Sequence, residues 1–540
     1  MTGVFSMREV RETDHALLRR NWAVIAGITC AALAVLALQA FLHQHYSAVD
    51  EYDDGVYFGA SVELLHGLLP YRDFAFIQPP MITVWMFPFA ALSTLTGTAI
   101  AMEAGRFFVD LVTLTNVVLV GALVRRRPTF QVVIATAAMA FAQGSIRVSQ
   151  TILLEPFVVL ACLIAFLFLM EGEGVTSSSR RLWWCGMFFG IAGATKVWAV
   201  FPLVAALIVL APVGLRAQRK VVAGAGLGFV ACSLPFLIGA PISFFKQVVV
   251  TQAIRNTGGF TPLARVADLT QIPGLSSSIE RHSGLGAPLL ALVLFFGFCA
   301  LLICWTDRHR SAWSALERLS AWGALLAGVG LLISPTYYYH YSGFMAPFVA
   351  LVLSSVAGRV REPLRMALTR TTLSARSPLL PTLLGWIATA TAIALVLGTL
   401  ITVVVDLPVA PQVSDAVSDA IPGHGCVLYA NPTLALLDNR FTSDVSGCPD
   451  VIDWLGQERV LDNGLATAPS DSHDTHLQTM MSRWIDSSDA VVLESSDLGL
   501  DSANERYLRS HFAQEVDIPR GLRIFVRVSG ERHKNADAQS

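Results

Sequence analysis

Long apolar runs alternate with short polar segments over the first 405 residues of the chain. A membrane-spanning helix requires about 20 predominantly apolar residues, and about eleven segments reach or approach that length. We predict spans over residues 22–42, 99–124, 130–147, 153–170, 182–195, 197–212, 220–240, 285–304, 319–335, 342–357 and 379–405. The pattern therefore indicates a multi-spanning α-helical membrane protein.

The positions of Lys and Arg orient these spans, because loops rich in the two residues remain in the cytoplasm. One set of loops holds most of them: Arg125–Arg127, Arg180, Arg181, Arg216, Arg219, Lys220, Arg308, Arg310, Arg318, Arg359, Arg361, Arg365, Arg370 and Arg376. The other side holds Arg72, Arg147, Lys196, Lys246, Arg255, Arg265 and Arg281. We expect a cytoplasmic N-terminus over 1–21 and a transmembrane domain over 22–405, with a first outer loop over 43–98.

Two parts of this map allow a second interpretation. The segment "PPMITVWMFPFAALSTLTG" at 79–97 is apolar enough to span, but counting it would invert all later loops. We interpret it as a helix in the outer membrane interface. The short spans on either side of Lys196 are also typical of broken helices packed inside protein.

After residue 405 the apolar runs shorten to the length of strands, as in "CVLYA", "AVVLES" and "LRIFVRV". Helix-like segments such as "DVIDWLGQERVL" and "ANERYLRSHF" lie between them. This alternation predicts a small extracytoplasmic α/β domain over 406–530. The polar tail over 531–540 is predicted to be disordered.

Composition narrows the possible functions. Hydrophobic residues make up 54% of the chain and charged residues only 14%, against about 25% charged residues in soluble domains. The net charge of −2 and the lack of a basic arm argue against nucleic acid as a partner. No phosphate-binding glycine loop is present, so direct use of a nucleotide is not expected. Of the eight cysteines, Cys426 and Cys448 lie in the polar part, where a disulfide bond is an open possibility.

An acidic cluster follows the first span directly, in "DEYDDGVYFGASVELLHGLLPYRDFAFIQPP". Its carboxylates are Asp50, Glu51, Asp53 and Asp54. The four-residue spacing of Val56, Ala60, Leu64 and Leu68 predicts an interfacial helix that starts at the cluster. A helix N-terminus favours ionised carboxylates. These acids are therefore either a helix cap with solvated charges or a reaction centre at the membrane surface.

Other chemically active side chains fall on the same predicted side. Glu155 begins a span, Lys196 lies between two apolar runs, and His340 lies among the tyrosines of "SPTYYYHYSGF". Each has an ordinary structural explanation as a helix cap, a snorkelling lysine or part of an aromatic belt. Together they indicate a site for an anionic lipid head group. There a carboxylate accepts the proton of an attacking hydroxyl while cations stabilise the departing phosphate.

Several motifs resemble the GT-C glycosyltransferases that use polyprenyl-phosphate sugars, notably bacterial relatives of protein O-mannosyltransferases and the aminoarabinose transferase. These motifs are "YDDGVY", "HGLLPYRDFAFIQPP", the acid Glu155, "GxxxxTK" over 190–196, and "HYSGFMAPFVALVL". The first loop is more narrowly similar to actinobacterial mannosyltransferase-like proteins that act on cell-envelope glycolipids. The resemblance covers residues 20–360 and becomes weak beyond them.

The resemblance implies a GT-C fold of about eleven transmembrane helices, and an inverting transfer of a sugar, most simply mannose, to an envelope glycolipid or glycan hydroxyl. It implies Asp53 as catalytic base, with Asp54 positioning the acceptor or a divalent cation such as Mg or Mn; which acid is the base, and whether a metal is used, stay open. It implies substrate or donor-phosphate binding by Arg72, Asp73, Glu155, Lys196, His340 and Tyr341, although Arg72 and Asp73 equally suit a surface ion pair. The expected location is the plasma membrane, with the site on its outer face.

Two other classes of protein remain as alternatives. A transporter or flippase of lipid-linked sugars usually has repeated halves and broken helices at the membrane midplane. Here the ionisable residues gather at one face, and no repeat is visible. A glycan-binding scaffold would instead rely on the outer α/β domain, and it predicts that substitution of Asp53 leaves function intact.

Overall fold

The computed structural model describes residues 7–149, 151–253, 258–272, 275–276, 279, 313–370, 413–449, 451–454, 456, 475–493, 500–518 and 522–528. The chain divides into two compact units. The first unit comprises Met1–Leu42, Phe108–Ser233 and Thr257–Pro408. The second unit comprises His43–Phe107, Leu234–Asn256 and Val409–Ser540.

Helices account for most of the described residues up to 370. They are α1 (Met7–His43), α2 (Tyr52–Leu65), α3 (Met81–Thr96), α4 (Thr98–Val124), α5 (Thr129–Ala140), α6 (Gln143–Val148), α7 (Glu155–Leu169), α8 (Ser179–Thr195), α9 (Val200–Leu210), α10 (Leu215–Gly239), α11 (Pro241–Phe245), α12 (Thr251–Ala253), α13 (Pro262–Leu269), α14 (Ala315–Ile333) and α15 (Ser342–Arg370). Short strand pairs interrupt them: β1 (Met170–Glu171) with β2 (Gly174–Val175), and β3 (Gly258–Gly259) with β4 (Thr336–Tyr337).

Five helices are long and apolar enough to cross a membrane among the residues that the structure describes. They cover Asp14–Leu42, Thr98–Val124, Leu215–Gly239, Ala315–Ile333 and Tyr339–Arg359. Shorter apolar helices match further predicted spans, and the protein is a multi-pass membrane protein. The predicted spans 285–304 and 379–405 lie outside the described residues. The segment 79–97 is helical with Pro88 inside it, and its placement at the interface stays a prediction.

One predicted span, 130–147, is two helices rather than one. Phe141 and Ala142 leave helical geometry between α5 and α6. α6 then packs closely on α15, where a Cβ atom at Gly144 would lie 2.6 Å from the backbone nitrogen of Gly343. Such close packing of irregular backbone is possible in a membrane protein where the backbone is buried in protein.

Helices α8 and α10 are in backbone contact through glycines. A Cβ atom at Gly186 would lie 2.3 Å from the carbonyl oxygen of Val221, and one at Gly190 would lie 2.3 Å from that of Ala225. On α10, Gly224 and Gly228 make equally close approaches to α8. Small residues four apart are the usual way in which transmembrane helices approach this closely. Because the contacts advance together along both helices, α8 and α10 run parallel.

The first unit has two polar ends. At one end Arg127 pairs with Glu173 at 2.7 Å, and the Glu173 carboxylate also accepts from Ser314. Arg359 pairs with Glu317 at that end. The loops predicted to be cytoplasmic therefore converge. Glu155, on the predicted outer side, is the first residue of α7, and the end of the unit described above lies beyond the last residue of this helix. The 15 residues of α7 separate the two ends by about 22 Å.

In the second unit, the residues from 413 onward form a mixed four-stranded sheet with flanking helices. Its strands are β5 (Val427–Tyr429), β6 (Ala490–Leu493), β7 (Phe512–Ile518) and β8 (Leu522–Arg527), in the order β5-β6-β8-β7. Strands β5 and β6 are parallel and the other pairs antiparallel. The helices are α16 (Val413–Ala420), α17 (Pro432–Leu437), α18 (Thr475–Ser487) and α19 (Ser502–His511). The predicted boundary at 405 and the tail 531–540 lie outside the described residues.

Apolar side chains from strands and helices form the core beside this sheet. It includes Leu428 and Val491, which are opposite each other in the register of β5 and β6, together with Met481 of α18. Cys426 and Cys448 form a disulfide bond, so the pairing that the sequence left open is present. Of the other cysteines, Cys162 and Cys185 are buried thiols, as expected of small apolar residues.

Candidate active site

The acidic cluster begins helix α2, as predicted, and the helix is buried within the protein. Its placement at the membrane interface stays a prediction. Its residues from Asp54 to Glu63 are all buried, and Leu68 lies beyond its last residue, Leu65. A helix that is buried on every side belongs to the interior of a protein. The four-residue apolar spacing predicted burial of one face of α2 only. The other faces are buried as well, because small residues such as Gly55 and Ser61 allow close packing there.

Asp54 forms a buried ion pair with Arg106 of α4. The guanidinium Nε donates to the Asp54 carboxylate at 2.8 Å, and its Nη2 also contacts that oxygen. Nη1 donates to the carbonyls of His45, Tyr46 and Ala48. Asp54 and Arg106 are both 0% exposed. Because its charge is matched by the guanidinium, Asp54 is suited to holding the first loop together.

Asp53, its neighbour, has a different environment. Its side chain is half-buried and accepts a hydrogen bond from the Tyr57 hydroxyl at 3.2 Å. It lies in the first turn of α2, where unpaired backbone N–H groups favour a negative charge. Asp53 is thus the carboxylate of the adjacent acids that remains accessible to a substrate.

Arg72 and Asp73 form an ion pair with each other, at 2.7 Å. Nearly half of the Arg72 side chain is exposed, 48%. Hydrogen bonds from the Arg72 side chain and from the Leu69 backbone lower the pKa of Asp73. This geometry favours the surface pair over a binding role, although substrate contact by these residues stays a prediction.

In the first unit, Glu155, Lys196, His340 and Tyr341 come together, as their common predicted side suggested. The Lys196 ammonium contacts the Glu155 carboxylate, and His340 Nε2 lies 4.0 Å from the same oxygen. Lys196 also lies 3.7 Å from the ring centroid of Trp198 and 4.6 Å from that of Tyr341. All four of the predicted residues are buried. The cluster joins a buried charge pair to aromatic faces that favour a cation.

Lys196 lies at a break between helices, in agreement with the second interpretation of the sequence. Helix α8 ends at Thr195, and Lys196 is extended before the chain turns into α9. Glu155 is the first residue of α7, followed by Pro156. Proline suits this position because its missing N–H is not needed in the first turn. Both charges therefore lie at helix ends rather than within apolar helix faces.

A second buried cluster involves Arg147 and Asp268, neither of which was predicted to be a site residue. Arg147 pairs with Asp268 at 3.2 Å, and the Tyr337 and Ser276 hydroxyls donate to Asp268 at 3.1 Å each. Burial raises the pKa of Asp268, while Arg147 opposes that shift. Burial and the nearby carboxylate also raise the pKa of Tyr337.

The turn over 337–341 connects the two clusters of the first unit. Tyr337 contacts Asp268 and Tyr339 lies under the Arg147 guanidinium, whereas His340 and Tyr341 face Glu155 and Lys196. The aromatic run "TYYYHY" therefore supplies Tyr337 and Tyr339 to one charge pair, and His340 and Tyr341 to the other. Three of its tyrosines thus contact the charged residues of these clusters, and Tyr338 stacks on His340.

Sequence reasoning missed Arg106, Arg147 and Asp268. A signal existed for Arg106, since an ionisable side chain inside an apolar span is usually functional or paired. The sequence pattern placed Arg147 on the outer side of the membrane but indicated no role for it in the site. Arg147 and Asp268 are 121 residues apart, and no pattern in the sequence indicates that they are in contact. In the part of the chain that the structure describes, no group of three or more His, Cys, Asp or Glu side chains is arranged to hold a metal ion. Asp54, the proposed ligand, faces a guanidinium and does not suit one.

Residues 76–335, slightly under half of the chain, match the sequence model of Glycosyltransferase family 87. The comparison with curated proteins found no match. Among solved structures, ArnT from Cupriavidus metallidurans bound to undecaprenyl phosphate has a TM-score of 0.58 at 14% identity, covering 93% of this chain and 98% of that chain. The apo state of the same protein has a TM-score of 0.56 at 13% identity, and the match covers 94% of this chain and 98% of that chain. The Archaeoglobus fulgidus oligosaccharyltransferase has a TM-score of 0.49 at 12% identity, and the match covers 95% of this chain and 75% of that chain.

These findings confirm the predicted GT-C fold. The family match over residues 76–335 supports a glycosyltransferase.

Proposed function

We propose that this membrane glycosyltransferase of the GT-C fold takes its sugar from a polyprenyl-phosphate carrier and transfers it to a hydroxyl of a cell-envelope glycolipid or glycan at the outer face of the plasma membrane. Mannose is the sugar that the first-loop motifs favour. The lipid carrier is supported by the solved ArnT structure, whose ligand is undecaprenyl phosphate. It also agrees with the lack of a nucleotide-binding loop in the sequence.

The observation that carries the proposal is the difference between the two adjacent acids. Arg106 neutralises Asp54 in a buried pair, while Asp53 stays half-buried and accepts a hydrogen bond from the Tyr57 hydroxyl. A general base has to reach the proton that it accepts. We therefore assign the base to Asp53 and a structural role to Asp54.

In the proposed reaction, the acceptor hydroxyl attacks the anomeric carbon of the donor sugar. Asp53 takes the hydroxyl proton as the new carbon–oxygen bond forms. The bond between the anomeric carbon and the phosphate oxygen breaks, and its electron pair leaves with polyprenyl phosphate. A single displacement with one base gives inversion at the anomeric carbon.

The departing phosphate requires positive charge, and the first unit offers two cations for it. The Lys196 ammonium is a cation in contact with Glu155, and an ammonium group donates hydrogen bonds to phosphate oxygens. Arg147 has 24% of its side chain exposed, and guanidinium groups bind phosphate oxygens in pairs. We propose that Lys196, His340 and Arg147 bind the carrier phosphate, with Glu155 keeping Lys196 in place.

The proposal is tested with purified protein in lipid, radiolabelled polyprenyl-phosphate mannose and an envelope glycolipid extract. Wild type is compared with Asp53→Asn and with Asp419→Asn, a control at an exposed aspartate of α16. We expect Asp53→Asn to bind donor but to transfer no sugar, and Asp419→Asn to match wild type. Equal transfer by Asp53→Asn would exclude Asp53 as the base. Movement of the lipid across the bilayer without transfer would favour the flippase instead.

A further inference from the structure

Helix α17 lies in a loop that the disulfide bond closes. Cys426 and Cys448 are 22 residues apart in sequence, and α17, Asn439 and Phe441 lie between them. The proposed function assigns no reacting group to this disulfide-closed loop. Its contacts are instead with the first outer loop, inside the same compact unit.

Thr433 of this loop completes the first turn of α2. Its hydroxyl donates to the carbonyl of Glu51 at 2.7 Å and accepts from the N–H of Gly55 at 2.9 Å. In a regular α-helix the C=O of one residue and the N–H four residues later pair with each other. Here a hydroxyl from another part of the chain bridges the two atoms. Thr433 is fully buried.

The turn bridged by Thr433 is the one that holds Asp53 and Asp54. The N-cap residue Glu51 makes no capping hydrogen bond with its own side chain, so the Thr433 hydroxyl takes part in satisfying that end of the helix. The approach is close: a Cβ atom at Gly55 would lie 2.1 Å from the Thr433 backbone nitrogen. Glycine at position 55 is therefore required for the loop to reach α2.

The same loop also holds the start of α4. Thr98 donates its hydroxyl hydrogen to the Leu436 carbonyl at 2.6 Å. The Asn439 side-chain oxygen accepts from the Ala99 N–H at 3.0 Å. Helix α4 carries Arg106, the partner of Asp54. One short segment thus binds the N-terminal turns of both helices that supply the buried ion pair.

We propose that Thr433 is a positioning residue of the transferase: its hydroxyl, held by the disulfide-closed loop, sets the turn that aims the Asp53 carboxylate at the acceptor hydroxyl. This inference rests on the proposed function, because it takes Asp53 as the base. Thr433 acts through α2 and touches no substrate. The C-terminal part of the chain therefore takes part in catalysis without contributing a reacting group.

The test compares Thr433→Val, Thr433→Ser and a control, Thr479→Val, at an exposed threonine of α18. Valine keeps the branched shape and removes the hydroxyl, whereas serine keeps the hydroxyl. A displacement of about 1 Å at a catalytic group costs up to about 100-fold in rate. We expect Thr433→Val to lose about tenfold or more in kcat/KM with unchanged donor affinity, and to shift the pH at which the rate rises. We expect Thr433→Ser and Thr479→Val to stay close to wild type.

Hydrogen exchange at the amides of 52–55 provides a readout that does not depend on activity. We expect faster exchange in Thr433→Val, and also in wild type after reduction of the disulfide. If Thr433→Val has the same rate, pH profile and amide exchange as wild type, Thr433 has no positioning role. If wild type transfers no sugar from the carrier, the proposed function fails, and exchange alone then decides whether Thr433 orders the first turn of α2.

Discussion

Asp54 and Arg106 are 52 residues apart in sequence, and they form an ion pair with no exposure to solvent. The guanidinium also binds three backbone carbonyls that precede α2. The pair therefore joins α4, α2 and the end of the segment after α1. Removing one partner of such a pair leaves the other charge buried without compensation, which costs more than removing both.

We expect Arg106→Met to destabilise the protein by about 3–5 kcal/mol. The double variant Asp54→Leu, Arg106→Met should recover part of that loss, because no unpaired charge then remains. Thermal unfolding in detergent at matched protein concentration measures the difference. Equal destabilisation of the single and the double variant would show that the backbone contacts of Arg106, rather than its charge pairing, hold the loop.

The pair of Lys196 and Glu155 leads to a related expectation for donor binding. If Lys196 binds the carrier phosphate as proposed, Lys196→Met removes a cation from that site, and the buried Glu155 carboxylate loses its ammonium partner. We expect binding of polyprenyl phosphate to weaken by at least about tenfold, which corresponds to about 1.4 kcal/mol. Lys196→Arg should recover little, since the planar guanidinium does not replace a compact ammonium. Unchanged affinity in Lys196→Met would exclude this residue from the phosphate site.

Glu173 predicts a pH dependence at the other end of the first unit. Burial acts to raise the pKa of its carboxyl, but hydrogen bonds from Arg127 and Ser314 outweigh it, and the net pKa is below the ordinary 4.5. The unfolded chain therefore takes up this proton at a higher pH than the folded chain does. Stability from the pair is fully present above the unfolded pKa and is lost as pH falls through the lower folded pKa.

We expect Glu173→Gln to lower the thermal midpoint at neutral pH. The difference from wild type should shrink in acid, below about pH 4.5, as the wild-type carboxyl is protonated. Thermal scans of both proteins from pH 7 down to pH 3 measure it. A difference that stays constant over this range would show that shape, and not charge, is what Glu173 contributes.

The glycine contact between α8 and α10 provides a prediction with a matched control. Gly190→Ala places a methyl group where the carbonyl oxygen of Ala225 would be 2.3 Å away, so the helices have to separate. At Gly226, also on α10, nothing lies within 4 Å of the new atom. We expect Gly190→Ala to lower the thermal midpoint and Gly226→Ala to leave it unchanged or higher, since alanine favours the helix.

Much of this architecture follows from patterns that are local in sequence. Runs of about 20 apolar residues locate most of the long helices, and the three apolar runs after residue 405 are strands β5, β6 and β8. Strand β7 was not predicted, because "FAQEVDI" shows no apolar run of strand length. The burial of α2 on all sides was missed for another reason. It depends on Thr433 and Phe441, which approach Gly55 and Gly59 from far along the chain.

Part of the candidate site could likewise be predicted from the sequence, and part could not. Glu155, Lys196 and His340 could be grouped from the sequence because the topology rules place them on one side of the membrane. Arg147 and Asp268 could not, since their contact depends on how the turn over 337–341 folds. The proposed choice of Asp53 over Asp54 rests on charge pairing, because no spacing rule distinguishes two adjacent acids.

The bridge between Glu51 and Thr433 spans 382 residues, and this distance sets an order of events during synthesis. At about 5–20 residues per second, α2 enters the membrane region tens of seconds before Thr433 is made. During that interval the turn that carries Asp53 lacks its bridging hydroxyl. On the positioning proposal, a nascent or truncated chain holds the base without its final geometry, so we expect it to transfer sugar from the lipid carrier more slowly than the finished chain.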